Sequence, residues 1–198
     1  MSQSDETRAK LIATAAELFN QKGFAGVAMS DVMAATGLQK GGIYNHFKSK
    51  EDLAIAAFDY AVGLIHQRYR RVLRVSPKSI PRLFHFIELF CQSYDDPPLN
   101  GGCPIMNTAI EQDSTQDFLR DRARRAMDDW RDLICKIVAR GIAQNEIQAI
   151  VHPDEVATLM IATLEGALMM SQLYQDSLYL ERAADSLKRY LQDQIAVS

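Results

Sequence analysis

Three cysteines in 198 residues, Cys91, Cys103 and Cys135, are an odd and widely spaced set. They match no disulfide framework and no zinc spacing, and they fit a reducing compartment. Little in the chain marks an enzyme. Its four histidines, His46, His66, His85 and His152, are scattered, and there is no phosphate loop, dinucleotide fingerprint or paired-His metal motif. The expectation is therefore no catalytic residue, no metal ligand and no cofactor. Long apolar runs are also missing, because Glu165 interrupts the best candidate, around Leu159 to Met170. The polar, acidic start, Met-Ser-Gln-Ser-Asp-Glu-Thr, is unlike a signal peptide. A cytoplasmic protein with no membrane partner is expected. At this length roughly 70% of the unfolded surface can be buried, enough for a core without disulfides or metal.

Acidic residues are absent between Val32 and Lys50, where Lys40 and Lys48 stand among Tyr44, Asn45 and His46. The net charge of −3 hides an asymmetry. Residues 1–82 carry 12 Lys/Arg against 7 Asp/Glu, and residues 83–198 carry 10 against 18. A basic end on an acidic body suits contact with a polyanion, although chance clustering of surface charge produces the same count.

Period-2 alternation is missing as well, and glycine and proline fall mainly at breaks, so the pattern is helical almost throughout. A first helix is expected from about Asp5 to Lys22, with Leu11, Ile12, Ala15, Leu18 and Phe19 as its apolar stripe and Gly23 as its stop. A short helix over Ser30–Thr36 ends at Gly37 and is followed by a second short, basic one. Ser49, with Asp52 three residues on, opens a helix to about Arg74 with Leu53, Ala57, Tyr60, Leu64 and Val72 inward. Further helices are expected from Pro81 to Tyr94, Cys103 to Gln112, Ser114 to Gln144 (with a Ser114–Asp117 cap), Pro153 to Gln175 and Leu178 to Gln194. The expected fold is all-α, with about nine helices.

Helix, glycine turn and short basic helix form a helix-turn-helix, whose second helix enters the DNA major groove. From Thr7 to Leu53 the chain resembles the TetR family of transcriptional regulators. The resemblance rests on Ala15-Ala16-Glu17-Leu18-Phe19, Gly23-Phe24, Asp31-Val32, Gly37, Lys40-Gly41, Ile43-Tyr44, His46-Phe47 and Ser49-Lys50-Glu51-Asp52-Leu53. It implies an N-terminal three-helix DNA-binding domain over residues 1–52 and a helical effector-binding and dimerisation domain over 53–198. It also implies a homodimer on a palindromic double-stranded DNA operator, acting as a repressor and released by a small-molecule effector. Activation instead of repression stays open, as do the effector's identity and the operator's sequence.

The DNA-binding residues expected are Ser30, Gln39, Lys40, Gly41, Gly42, Tyr44, Asn45, His46 and Lys50. Gln39, Lys40 and Gly42 are best placed for base edges, where lysine meets guanine acceptors and glutamine or asparagine pairs with adenine. Tyr44, His46 and Lys50 suit phosphates, and Ile43 and Phe47 should face inward. Two departures from the family stand out. Ala28 replaces a frequent Ser or Thr that caps the second helix, leaving Ser30 to contribute. At position 42 the family often has a small hydroxyl residue, where Gly42 offers only backbone. Gly41 and Gly42 together cost a helix roughly 1.5–2 kcal/mol relative to alanine, which suggests a recognition helix partly frayed without DNA that tightens on docking.

Gly102-Cys103-Pro104-Ile105-Met106-Asn107-Thr108-Ala109-Ile110-Glu111 resembles a Gly-Cys-x-x-x-Asn-x-Ala-x-Glu segment in one branch of the family's ligand domains. Effector contacts are expected from Phe90, Tyr94, Cys103, Met106, Asn107, Ile110, Trp130, Ile134 and Leu164, the alternative being a tight loop entering a core helix. Cys103 as a reactive thiol sensor is the rival to reversible ligand binding. The small and apolar residues of the Pro153 helix and the last helix point to a two-fold interface through Ala162, Gly166, Met169, Leu173, Leu187 and Leu191, the alternative being an internal core helix of a monomer.

Overall fold

The computed structural model describes residues 2–72, 74, 76–111 and 117–197, with only the backbone of Arg71 and Val72. Among these are nine α-helices and no strand beyond an isolated Ile147–Ala196 bridge. The expected Ser114 cap and the Val72 side chain lie outside the described residues.

The chain forms two units, Met1–Ile65 with Pro98–Arg124, and His66–Pro97 with Arg125–Ser198. In the first, α1 (Gln3–Lys22) starts earlier than expected, because Ser2 and Asp5 form a reciprocal capping box. α2 (Met29–Thr36), α3 (Lys40–Tyr44) and the first part of α4 (Lys50–Val72) follow. Asp52 N donates to Ser49 Oγ at 3.1 Å, the cap expected for α4. Leu11, Ala15, Val32, Ile43, Phe47, Leu53 and Ala57 make the core, with Leu99 added from far along the chain. Each large aliphatic side chain buried there contributes about 1.5–3 kcal/mol. Leu53 and Ala57 face inward as expected; Tyr60, also expected inward, is exposed, and Ala61 is buried in its place. α6 (Pro104–Ile110) and the start of α7 (Asp117–Ala143) complete this unit.

The second unit contains α5 (Ser79–Asp95), the rest of α7, α8 (Pro153–Tyr174) and α9 (Leu178–Tyr190), and α9 continues into a π-helical turn over Leu191–Ile195. Tyr69, Phe86, Phe90 and Trp130 form an aromatic cluster with ring centroids 4.8–6.1 Å apart. By length and composition α8 qualifies as a membrane span, despite Glu165. That corrects the expectation from sequence; here its Val156, Met160, Leu164 and Leu168 are buried.

Candidate nucleic-acid interface

α3 is anchored by its hydrophobic side. Ile43 is fully buried and Phe47, just beyond the helix, is 5% exposed. That orientation leaves Gln39, Lys40, Gly41, Tyr44 and Asn45 exposed and Gly42 and His46 half-buried, with exposed Ser30 on the first turn of α2. Lys40 Nζ lies over the Tyr44 ring, 5.7 Å from its centroid, so the cation is presented at an aromatic face. The expected DNA-binding residues thus lie on α2, on α3 or within two residues of α3, apart from Lys50.

Lys50 is placed differently. Its ammonium donates to Phe24 O at 2.6 Å and sits 4.1 Å from the Phe24 ring centroid. Instead of being held out for a phosphate, it satisfies a carbonyl in the turn between α1 and α2. The missing hydroxyl at Ala28 is also resolved locally. Asp31 Oδ2 accepts from Ala28 N at 2.7 Å, so the half of the capping box that needs no side chain at 28 is kept. Asp31, rather than Ser30, makes that bond.

The expected effector residues divide between the units. Phe90, Tyr94, Trp130, Ile134 and Leu164 belong to the second, where all but the half-buried Tyr94 are core. Tyr94 Oη donates to Ser171 O at 3.2 Å. Cys103, Met106, Asn107 and Ile110 belong to the first, where Cys103 is buried and Ile110 is 68% exposed. Asn107 lines a small cavity in that unit, and its Nδ2 donates to Asn20 O, Asn20 Oδ1 and Gly101 O.

Sequence reasoning passed over a cleft of about 480 Å³ in the second unit, lined by His66, Tyr69, Arg70, Arg74, Asp129, Trp130, Asp132, Leu133 and Lys136. Asp129 lies 3.9 Å from His66 and Asp132 lies 3.9 Å from Lys136, while no ion pair among the described residues holds Arg70 or Arg74. The buried indole N–H of Trp130 has no hydrogen-bond partner among the described residues. The sequence signal was present in the arginine-rich run that contains Arg70, near the end of α4, and Arg74, beyond it.

Of the expected interface residues, Ala162, Met169 and Leu173 are exposed, Leu173 at 72%, and Gly166 is half-exposed. Leu187 and Leu191 are 3% and 0% exposed, so they are core of their own chain and are not presented to a second copy. The strong periodicity of α9 that suggested them reflects packing against α8 and α5. As for the thiols, burial pushes Cys91 up to about 11 and raises Cys135 as well, away from the thiolate form a sensor needs.

Residues 11–57 match the family described as bacterial regulatory proteins, tetR family, and residues 79–187 match the tetracyclin repressor-like C-terminal domain. A TetR transcriptional regulator from Chloroflexus aurantiacus is 45% identical, with all of both chains covered and a TM-score of 0.96. A TetR-family regulator from Cytophaga hutchinsonii is 33% identical over all of this chain and 98% of that one, with a TM-score of 0.89. The HTH-type transcriptional repressor DhaR of Mycobacterium sp. (strain GP1) is 25% identical over 93% of this chain and 88% of its own. With a helix-turn-helix head, an all-helical body and both family matches, this chain belongs to the TetR family of DNA-binding transcriptional regulators, which are not enzymes.

Proposed function

We propose that the protein is a cytoplasmic repressor that binds a palindromic operator as a homodimer and leaves it when a small organic molecule occupies the body. The observation that carries this reading is the acid-free stretch from Val32 to Lys50, on which Gln39, Lys40, Tyr44 and Asn45 stand exposed above buried Ile43 and Phe47. Gln39, Lys40 and the backbone at Gly41 and Gly42 are assigned to base edges. Ser30, Tyr44, Asn45 and His46 are assigned to phosphates and register. The repressor name of DhaR supports repression over activation.

Dimerisation is assigned to α8, where Leu159, Met169, Met170 and Leu173 are exposed beside Ala162 and Gly166. The effector is assigned to the body, where the cleft beside Trp130 offers an aromatic and apolar wall with Arg70 and Arg74 at its rim. That combination suits an organic anion with a flat apolar body.

Selection of bound fragments from random DNA, followed by footprinting and a salt series, tests the reading. A protected palindrome with half-sites about 34–36 Å apart, and affinity falling steeply with salt, is expected. Binding without sequence preference would overturn it.

A further inference from the structure

The Gly102–Glu111 motif has a use that its place in the sequence conceals. Asn107 Nδ2 donates to Asn20 O (3.2 Å), Asn20 Oδ1 (3.1 Å) and Gly101 O (2.8 Å). Asn20 Nδ2 in turn donates to Asn100 O (2.8 Å) and Gly102 O (3.0 Å). At the end of α6, Glu111 Oε2 accepts from Phe24 N (2.9 Å) and Oε1 accepts from Ala25 N (2.8 Å). A carboxylate thus grips two consecutive amides in the turn that leads from α1 to α2. Charge-assisted, two-pronged bonds of this kind fix direction as well as distance.

The backbone is shaped to let these groups in. A Cβ on Gly23 would stand 2.9 Å from Glu111 Oε1, and one on Gly101 would stand 2.7 Å from Asn20 O. Both glycines have positive φ, +72° and +107°. Lys50 completes the arrangement from α4, so the N–H of Phe24 is held by an anion and its C=O by a cation. The turn's own backbone adds only a long bond, Val27 N to Phe24 O at 3.5 Å. Side chains of the turn are packed as well, Val27 in the core and the Phe24 ring against Phe19 and Phe118, while Glu111 and Lys50 act on its backbone. A cavity of about 40 Å³ remains beside it, lined in part by Ala16, Phe24, Ala57, Thr108 and Leu119.

The geometry points to Glu111 and Asn107 as positioning residues for DNA binding: from outside the helix-turn-helix, they fix where α1 ends and so how α2 and α3 are presented. Neither residue is on the surface assigned to DNA, and the inference rests on that assignment.

The test uses the full chain and a DNA fragment selected from a random pool by the wild-type protein, with a scrambled fragment as control. Glu111→Ala and Asn107→Asp, the second isosteric but without donor hydrogens, are expected to weaken binding to the selected fragment about tenfold or more. Affinity for the scrambled fragment at low salt should stay within about threefold, because it depends on phosphate contacts. Glu111→Gln keeps one acceptor and should fall between; it also carries the comparison if Glu111→Ala fails to fold. Asp121→Asn, at an exposed carboxylate, should change nothing. Faster amide exchange at Phe24 and Ala25 should accompany the loss. Folded variants that hold the selected fragment as tightly as wild type overturn the inference, and so does a lowered melting temperature with unchanged affinity, which would mark a purely structural role. If the wild type itself selects no sequence, the DNA-binding assignment fails first and this inference falls with it.

Discussion

Gly23 and Glu111 fit only because residue 23 has no side chain: a Cβ there would lie 2.9 Å from Oε1 of the carboxylate. Gly23 also sits at φ +72° and ψ 166°, a region essentially reserved for glycine.

Gly23→Ala should therefore destabilise the protein by about 1–3 kcal/mol in denaturant unfolding. Adding Glu111→Ala to that variant removes the collision but not the backbone strain. The double variant should be more stable than the sum of the two single losses predicts, and strict additivity would mean that the two residues do not meet.

Lys50 separates stability from DNA contact. Lys50→Met removes both the bond to Phe24 O and the ammonium over the ring, and should cost about 1–2 kcal/mol of unfolding free energy. The salt dependence of operator binding should hardly change. Lys48→Met, at an exposed position, is expected to reduce the slope by about one unit with little effect on stability.

Gly41 and Gly42 have no steric reason to be glycine in the free protein. Nothing lies within 4 Å of a Cβ on Gly41, and a Cβ on Gly42 would meet Leu38 only at ordinary contact distance. Gly41→Ala should stabilise the chain by up to about 1 kcal/mol and slow amide exchange across Lys40 to His46. If DNA approaches this backbone closely, the same variant binds its operator more weakly. A gain in both properties would remove Gly41 from the interface.

Much of this was legible in the sequence, and the remainder fails for identifiable reasons. Helix positions followed from periodicity and caps, because Ser49, Gly37, Pro104 and Pro153 act on their immediate neighbours. The short helices could be found for the same reason. Leu99 in the head core, Lys50 on Phe24 and Glu111 on the Phe24 amide join residues 26 to 87 positions apart, and no local pattern encodes them. Asn107 was visible as part of a motif but was assigned to a pocket, since an asparagine among apolar residues reads alike whether it meets a ligand or a backbone carbonyl. On α9, a buried stripe and an interface stripe have the same period, which is how Leu187 and Leu191 were misplaced.

Trp130 is the chain's single tryptophan, so intrinsic fluorescence reports on the cleft it lines. Titration with an aromatic sulfonate such as 8-anilinonaphthalene-1-sulfonate should quench it. Arg70→Glu with Arg74→Glu should weaken that binding about tenfold, the equivalent of about 1.4 kcal/mol. Unchanged affinity would take the anion preference away from this cleft.

Acid should loosen the second unit at Glu88. The hydrogen bond from Lys188, and a lesser one from His85, hold its carboxyl below the ordinary 4.5. A depressed carboxylate pKa contributes stability above the unfolded value, and that contribution is lost as pH falls through the lower folded one. Because the pair is partly exposed, less than about 1 kcal/mol is expected. Glu88→Gln should flatten the melting temperature against pH below about 4.5, and an unaltered acid limb would show the pair contributes nothing.

Residues 98–124 cluster with the N-terminal helices rather than with the rest of the body. A reader helix transplanted into another regulator at a cut near residue 57, where the family's N-terminal match stops, would arrive without Leu99, Asn107 and Glu111. Recombination between relatives meets the same restriction: a crossover that keeps the recognition helix but swaps α6 separates partners that must change together. The portable piece of this protein is a discontinuous one, and chimeras built as a simple head-and-tail splice would inherit a turn that keeps Lys50 on the Phe24 carbonyl but loses the carboxylate on its amides.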